Sequence, residues 1–301
     1  MEKKIRIAAA GDNCVDAYSD GNAYPGGNPV NVAVYVTRLG GESTYIGAVG
    51  TDKYGKIMLD AIAAKGVDTS HMKVLEGNTA VTQVEIINGD RVFGDYDEGV
   101  MADFKLNAED IEFLAGYDMV VSGLWGMCEH ELPLLKEKGA TVAFDFATKL
   151  DDPVLEIAIP HVDYAFFSID DQGEEEIRTF MLEMYKKGPK VVVVTRGEAG
   201  SIAYDGKEFY TYGIVPVDVV DTMGAGDSFI AGFLYAICEG KSVPEAMADG
   251  AKNSTAGLLR YHGNRWYPVC TVSGLHEHQR YLDLQRRSAV PYLRRLPGIP
   301  D

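Results

Sequence analysis

The chain has 301 residues, of which 46% are hydrophobic and 24% are charged, and it carries 45 acidic against 28 basic side chains. This size and composition exclude a disordered, collagen-like or low-complexity chain, and they allow one large α/β domain or two small ones. The net charge of -17 repels nucleic acid and anionic lipid. A phosphate-bearing ligand must therefore be held by specific groups at its binding site and not by the overall charge of the protein. We therefore expect neither a nucleic-acid nor a membrane partner.

The cysteines and the apolar runs indicate a cellular location. The four cysteines are far apart and form no C-x-x-C pair, so neither a disulfide framework nor a thiolate zinc site is expected. Arg6 and Asp12 interrupt the first apolar stretch, and no later run reaches the roughly 18 apolar residues of a membrane span. These features predict a soluble, cytoplasmic protein.

Short apolar runs alternate with helical patterns along the chain. Strands are predicted at 5–10, 43–48, 119–122, 141–146, 164–167 and 191–195, and helices at 28–39, 53–65, 174–187, 225–238 and 243–259. Such alternation is typical of βαβ units. We therefore predict an α/β fold, with a mostly parallel sheet covered by helices on both faces.

Two stretches, 12–26 and 79–95, depart from this alternation. In the second, apolar and polar residues alternate around a turn at Asn88-Gly89-Asp90, as in a pair of exposed strands. These stretches predict a small sheet outside the main one.

The charge balance changes near residue 263. Residues 1–263 have a net charge of -20, whereas residues 264–301 have +3, with six arginines, no lysine and four prolines. The domain is therefore expected to span 1–263. The basic tail is interpreted either as a helical appendage or as sequence foreign to the domain.

A motif of small residues precedes the helix predicted at 225–238. Residues 221–227 read Asp-Thr-Met-Gly-Ala-Gly-Asp, and Gly224, Ala225 and Gly226 would leave backbone N–H groups open to an anion at the helix N-terminus. Asp227 could simply cap the helix. Alternatively, it could accept a proton from an alcohol whose phosphoryl donor these N–H groups hold.

A double glycine opens the helix predicted at 28–39, where residues 26–33 read Gly-Gly-Asn-Pro-Val-Asn-Val-Ala. A tight turn with a cap is one interpretation. In the other, Gly27 lets a polyhydroxylated ligand approach the backbone, and the Asn31 amide bonds its hydroxyls.

Residues 50–56 fit the G-x-x-x-x-G-K spacing of a phosphate-binding loop. Ile57 stands where Ser or Thr should hold magnesium, and Asp52 would repel a phosphate. We interpret this segment as an ordinary strand-to-helix turn.

The motifs at 26–33 and 221–227 together carry a resemblance. The first, with Leu39-Gly40, Gly47, Gly50-x-Asp52 and Gly55 after it, is similar to one signature of the ribokinase-like (PfkB) carbohydrate kinases, and the second, with Ser228 and Gly232, resembles the other. Within the family, residues 11–16, 90–96 and 98–104 look most like the members that phosphorylate fructoselysine.

The resemblance implies a Rossmann-like sheet with a small β-sheet lid, and ATP-dependent phosphorylation of a sugar hydroxyl. It also implies Mg²⁺, with a monovalent cation and a homodimer through the lid as further expectations. Carried over by position, the implied functional residues are Asp16, Gly27 and Asn31 for the substrate, Gly224, Ala225 and Gly226 for the anion hole, Asp227 for the base, and Thr195, Gly197 and Asn253 for the nucleotide.

The sequence departs from the family pattern at the motif that helps to organise magnesium. An Asn-x-x-Glu should follow the strand at 164–167, but Ser168-Ile169-Asp170-Asp171 stands there. Asp171 can still serve as an outer-shell oxygen ligand.

Acidic residues in the lid bear on the choice of substrate. Asp95, Asp97 and Glu98 lie close together, either as a solvated cluster or as partners for a substrate amine. Arg91 could bind a substrate carboxylate or a phosphate, or pair with these acids.

The sequence therefore predicts a kinase for the 6-hydroxyl of fructoselysine. The alternatives are a fructokinase or other small-sugar kinase, and a catalytically idle sugar or nucleotide sensor. A dinucleotide-dependent oxidoreductase is disfavoured because no G-x-G-x-x-G follows the first strand.

Overall fold

The computed structural model describes residues 4–19, 21–87, 90–216 and 224–258. The tail at 264–301 and the Asn88-Gly89 turn lie outside the described residues. Side chains are described for all of these residues except 86–93 and 256–258. None of the described helices is both long enough and apolar enough to cross a membrane.

The described part contains strands and helices in alternation. The strands are β1 (Arg6–Ala10), β2 (Cys14–Tyr18), β3 (Ala23–Gly26), β4 (Glu42–Ile46), β5 (Ala48–Gly50), β6 (Lys73–Leu75), β7 (Val81–Ile87), β8 (Asp90–Asp97), β9 (Met119–Gly123), β10 (Val142–Asp145), β11 (Tyr164–Ser168), β12 (Val191–Thr195), β13 (Ser201–Tyr204) and β14 (Phe209–Tyr212). The α-helices are α1 (Asn28–Arg38), α2 (Lys53–Ala64), α3 (Ala108–Ala115), α4 (Leu132–Glu137), α5 (Pro153–Ala158), α6 (Glu174–Lys186), α7 (Ala225–Cys238) and α8 (Val243–Leu258). Short 3₁₀ turns occupy Gly99–Asp103, Ile159–His161 and Gly197–Ala199.

The main sheet has the order β14-β13-β12-β11-β10-β9-β1-β4 within the described residues. The neighbours from β12 to β4 run parallel, whereas β13 and β14 continue the sheet antiparallel. The predicted mostly parallel sheet is therefore confirmed. Parallel strands end at a common edge, so the residues that follow β1, β9, β10, β11 and β12 meet there.

Both faces of the sheet are covered because alternate side chains of each strand enter opposite cores. Ile7 and Ala9 of β1 pack with buried residues of α1, α7 and α8. Ala8 and Ala10 pack into a second core with buried residues of α3 to α6. This packing fixes the N-termini of α1 and α7 above the carboxyl edge of the sheet.

The small sheet predicted outside the main one is present, in the order β3-β2-β7-β8. The strands β7 and β8 form an antiparallel pair with Ile87 opposite Asp90, and β2 joins β7 in parallel. Both stretches singled out in the sequence, 12–26 and 79–95, thus contribute to one sheet beside the carboxyl edge.

The strand predicted at 43–48 is divided by Gly47. An ideal Cβ on Gly47 would lie 2.0 Å from the hydroxyl oxygen of Tyr45 and 2.8 Å from the carbonyl oxygen of Gly11. This crowding requires glycine there. The pairing of β4 in the main sheet ends at Ile46, and β5 pairs with β6 instead.

Candidate active site

Asp227 lies in the first turn of α7, beside the first turn of α1. Its Oδ1 accepts a hydrogen bond from Asn28 Nδ2 and its Oδ2 accepts one from Asn31 Nδ2, both at 2.6 Å. The start of α7, at Gly224, has no side-chain cap. The capping interpretation of Asp227 is therefore not supported, because its carboxylate is turned toward α1.

The environment of Asp227 suits a general base. Burial raises its pKa to about 6, although the hydrogen bonds from Asn31 and Asn28 act to lower it. The carboxylate is therefore mostly ionised at neutral pH, yet it binds a proton far more readily than an exposed aspartate does. A base whose pKa lies near the working pH is efficient at proton transfer.

The three small residues before Asp227 form an open helix N-terminus. Gly224 adopts the left-handed region with φ of 72°, which glycine allows without strain. Among the described residues, an ideal Cβ on Gly226 would have no neighbour within 4 Å. Because the first N–H groups of a helix have no partner within the helix, this end of α7 suits an anion, while residues 221–223 lie outside the described part.

Gly226→Val is expected to weaken binding of ATP and of the transition state. The site itself has room for the side chain, so folding should be preserved, but the branched side chain would occupy the space in front of the N–H groups. Isothermal titration with a non-hydrolysable ATP analogue measures this effect. A defect confined to sugar affinity would contradict the anion-hole assignment.

Two further aspartates adjoin the base. Asp145, the last residue of β10, accepts from Asn28 Nδ2 at 2.8 Å through Oδ2, and from the Ala147 N–H at 2.9 Å through Oδ1. Asp12 follows β1, and the backbone N–H of Asn28 bonds to its carboxylate. No role was predicted from the sequence for Asn28, Asp12 or Asp145. Their signal was a polar residue at or near the carboxyl end of a buried parallel strand, or at a helix start.

Burial makes these neighbouring carboxylates weak acids. It raises the pKa of Asp145 to about 7, with a contribution from the charge of Asp227. Burial likewise raises the pKa of Asp12 to about 7, the Asn28 N–H acts to lower it, and the charges of Asp227 and Asp16 add to the rise. No cation among the described residues forms an ion pair with Asp12, Asp145 or Asp227.

Asp12→Asn is expected to make stability less dependent on pH. The folded protein holds the Asp12 proton up to about pH 7, whereas an unfolded aspartate releases it near pH 4, so Asp12 reduces stability as pH rises between these values. Melting temperatures at pH 5 and pH 8 should show a gain for the variant at pH 8 that shrinks at pH 5. An equal shift at both pH values would contradict the raised pKa.

The residues expected to bind substrate lie on the small sheet and α1. Asp16 in β2 stands opposite Thr82 of β7, and Asn31 is already bonded to the base. Gly27 has φ of 118°, and a Cβ there would lie 2.7 Å from the carbonyl oxygen of Asp12. Packing alone therefore requires glycine at 27. The Arg91 side chain lies outside the described residues.

The residues expected to bind the nucleotide and metal follow β11 and β12. Thr195 ends β12, and a Cβ on Gly197 would lie 3.4 Å from Asp170 Oδ1. Asp171, the outer-shell candidate, is exposed in the same loop as Asp170. The described residues contain no group of three acidic, histidine or cysteine side chains able to hold a metal ion. These roles stay predictions.

Asn253 lies between the two C-terminal helices. Its side chain is 3% exposed and donates to the Ser228 carbonyl at 2.6 Å, while Ser228 Oγ donates to the Asn253 carbonyl at 2.8 Å. This reciprocal pair ties α8 to the first turn of α7, next to Asp227. A direct contact between Asn253 and the nucleotide stays a prediction.

The loop at 50–56 is a capped helix start, in agreement with the sequence interpretation. Asp52 Oδ1 accepts from the Gly55 N–H at 2.9 Å and from Thr79 Oγ1 at 2.6 Å. The carboxylate thus occupies the position that a phosphate would need. Lys56 pairs with Asp60 on the exposed side of α2.

Lys56→Ala is expected to leave kcat and KM nearly unchanged. The Lys56 side chain is 78% exposed, and a surface ion pair of this kind contributes at most about 1 kcal/mol to stability. Steady-state kinetics under saturating nucleotide test the expectation. A large loss of activity would mean that the phosphate site lies at this loop.

Comparison with known proteins agrees with this geometry. A model of the pfkB family of carbohydrate kinases matches residues 3–262. The chain belongs to this family. It is thus a phosphotransferase that acts on a sugar hydroxyl. The match covers most of the region predicted as the kinase domain.

Relatives of this kinase include two that are named for sugar–amine adducts. Fructoselysine 6-kinase of Escherichia coli strain K12 is 48% identical over 258 residues, which are 85% of this chain and 98% of that protein. Fructosamine kinase FrlD of Bacillus subtilis strain 168 is 36% identical, covering 86% of this chain and 93% of that protein.

Solved structures confirm the predicted ribokinase-like fold of this kinase. Arabidopsis thaliana ribokinase, complexed with ribose and ATP, has a TM-score of 0.80 at 20% identity, covering 94% of this chain and 99% of that one. A putative ribokinase II from E. coli, in complex with ATP and Mg²⁺, has a TM-score of 0.73 at 22% identity, covering 94% and 100%.

Proposed function

We propose that this kinase transfers the γ-phosphoryl group of ATP to the 6-hydroxyl of fructoselysine. The observation that carries the proposal is Asp227, a carboxylate with a pKa of about 6 beside the open N-terminus of α7. The identity of 48% with a fructoselysine 6-kinase over nearly its whole length supports the choice of sugar.

In this reaction Asp227 accepts the proton of the 6-hydroxyl. The freed oxygen attacks the γ-phosphorus, the bond to the β–γ bridging oxygen breaks, and ADP leaves. The N–H groups of Gly224, Ala225 and Gly226 hold the negative charge that develops on the transferred group. Asp16, Gly27 and Asn31 orient the sugar hydroxyls, and Arg91 contacts an anionic group of the substrate.

The nucleotide side fits ATP through the open N-terminus of α7 and the loops after β11 and β12. Thr195 and Gly197 would approach the phosphates, and Asn253 would fix α8 near the adenine. Asp171 would hold Mg²⁺ through water. Mg²⁺, when bound, offsets the charge of the β- and γ-phosphates. ATP- and Mg²⁺-bound structures of the same fold support both groups.

The charge of the site supports a substrate with an amine. Asp12, Asp145 and Asp227 are desolvated carboxylates, and the charge of Asp227 helps to raise the pKa values of Asp12 and Asp145. A cationic ligand would stabilise them. We assign the ammonium of fructoselysine to Asp12, which follows β1 at the carboxyl edge of the main sheet and whose pKa the charge of Asp16 helps to raise.

The acids of the lid fit this role less well than Asp12 does. Tyr96 stands opposite Thr82 and therefore shares the face of Asp16, whereas Asp97 stands opposite Val81. Because successive side chains of a strand point to opposite faces, Asp97 lies on the face away from Asp16. Asp95, Asp97 and Glu98 are all exposed, as in a solvated charge cluster.

The experiment is ADP release measured across a panel of ketoses and fructosamines. We expect the highest kcat/KM with fructoselysine. Fructose as the better substrate would favour the fructokinase alternative, and sugar binding without turnover would favour the sensor. The same assay with and without K⁺ tests the monovalent cation.

A homodimer through the small sheet and a cytoplasmic location stay part of the proposal. Sedimentation of the wild-type chain, compared with a variant of the exposed Tyr96, tests the dimer. Cell fractionation tests the location.

A further inference from the structure

Asn28 is hydrogen-bonded to all three acids of the site described above. Its backbone N–H bonds to Asp12, and its Nδ2 donates both to Asp145 Oδ2 at 2.8 Å and to Asp227 Oδ1 at 2.6 Å. Both amide hydrogens are therefore used by carboxylates. The side chain sits at the first residue of α1, so its position is fixed by the helix.

The other atom of the amide shows that this orientation is enforced. Asn28 Oδ1 is buried and has no hydrogen-bond partner among the described residues, which is costly for a polar atom. A 180° flip of the amide would place this oxygen against two carboxylates, so the flip is excluded. The Asn28 amide thus leaves its oxygen unbonded, while both of its N–H groups donate to carboxylates.

Asp145 holds the amide in this orientation, and it is itself held by the backbone. Its second oxygen accepts from the N–H of Ala147, a non-glycine residue with φ of 50°. That conformation is sparsely populated for alanine and persists only where its surroundings require it. A chain of fixed contacts thus runs from the end of β10 through Asp145 and Asn28 to Asp227.

We propose that Asn28, held by Asp145, is a positioning residue that aims the Asp227 carboxylate at the substrate hydroxyl. This inference rests on the proposed role of Asp227 as the base. Asn28 directs Oδ1 from one side while Asn31 directs Oδ2, so the plane of the carboxylate is fixed. Neither Asn28 nor Asp145 needs to touch the transferred group.

The test compares three variants. Asn28→Ala removes the donor, and we expect kcat to fall about 10- to 100-fold, as for a small misplacement of a reacting group. Asp145→Asn replaces one acceptor oxygen by an NH₂ group, which then faces another donor, either the Asn28 amide or the Ala147 N–H. We therefore expect kcat to fall by a similar factor. Asp145→Ala leaves space for a water that accepts from both donors, so its loss should be smaller.

This order of effects separates positioning from a merely structural role. If Asp145 only filled space, the isosteric Asp145→Asn would be milder than Asp145→Ala, and that result would overturn the proposal.

The pH profile of kcat is a second test. Its acidic limb should move to higher pH in Asn28→Ala, because the ionised base loses a hydrogen-bond donor. It should stay near its wild-type position in Asp145→Ala, because Asp145 has a pKa of about 7 and is already mostly protonated where Asp227, with a pKa of about 6, titrates.

A titration without substrate makes the test independent of turnover. The carboxyl ¹³C signals of Asp145 and Asp227 should titrate as a coupled pair in the parent protein, with the Asp227 step at higher pH in Asn28→Ala. Unchanged titration would overturn the proposal even if the kinase proved to act on another sugar. Asn107→Ala, which removes the cap of α3, is the control: it should lower the melting temperature and leave both profiles unchanged.

Discussion

Asp227→Asn is expected to lower kcat by about 10² to 10⁴, the usual contribution of a general base. The amide keeps the shape of the side chain but cannot accept the proton of the hydroxyl. It also turns one NH₂ group toward Asn28 or Asn31, whose Nδ2 atoms donate to Asp227 in the wild-type protein. Stopped-flow or steady-state measurement of ADP release gives kcat directly.

The affinity for ATP should change little in the same variant, because the N–H groups of residues 224–226 are untouched. Asp60→Asn on α2 makes the same chemical change at an exposed carboxylate and should behave as wild type. Turnover of Asp227→Asn within tenfold of wild type, at unchanged ATP affinity, would remove Asp227 from the role of base.

Asp12→Asn should reduce kcat/KM for fructoselysine at least about tenfold more than for fructose, because only the first sugar brings an ammonium to a desolvated carboxylate. The asparagine oxygen can still accept the N–H of Asn28, so the start of α1 should be preserved. Measurement of kcat/KM for fructoselysine and for fructose, in the wild-type enzyme and in each variant, gives the ratio of the two values. Loss of this preference should also occur in the wild-type enzyme as pH falls below about 7, where Asp12 becomes protonated.

Asp97→Asn is the matched control for this prediction. It removes the same charge from the opposite face of the small sheet and should change the ratio little, since an exposed charge is screened by solvent and salt. Equal losses for both sugars in Asp12→Asn would show that Asp12 acts on the fold and not on the amine. A large change of the ratio in Asp97→Asn alone would indicate that the lid acids, and not Asp12, bind the amine.

The fold could be predicted from the sequence where the elements are long and periodic. The helices α1, α2, α6, α7 and α8 begin and end within a few residues of the predicted ranges, because each buries one clear apolar stripe. The helices α4 and α5 have six residues each, too few turns for a period to appear. The strands β13 and β14 complete the sheet antiparallel, which the alternation of strands and helices does not encode.

The site was predicted in part, and the missing part has a physical reason. Gly27, Asn31 and Asp227 belong to motifs that are contiguous in sequence, and the structure brings Asn31 and Asp227 into contact. Asp145 is 117 residues from Asn28, and no sequence pattern near either residue predicts their contact. Their contact depends on which strands are neighbours in the sheet.

The same reasoning explains why the choice of acid for the amine differs from the sequence-based expectation. In the sequence, Asp95, Asp97 and Glu98 form the densest acidic group near a predicted lid. The register of β8 against β7 decides which face each side chain occupies, and that register places Asp97 away from Asp16. Asp12, an isolated acid in the sequence, lies at the carboxyl edge of the main sheet.

The most direct measurement is the position of the phosphate in the product. The wild-type chain is incubated with ATP, Mg²⁺ and fructoselysine, and the product is analysed by ¹H–³¹P correlation NMR, with Asp227→Asn as the parallel control. We predict phosphorus coupling to the two protons on carbon 6, and formation of the same product about 10² to 10⁴ times more slowly with the variant. Coupling to any other carbon, or release of free phosphate without a phosphorylated sugar, would contradict the account.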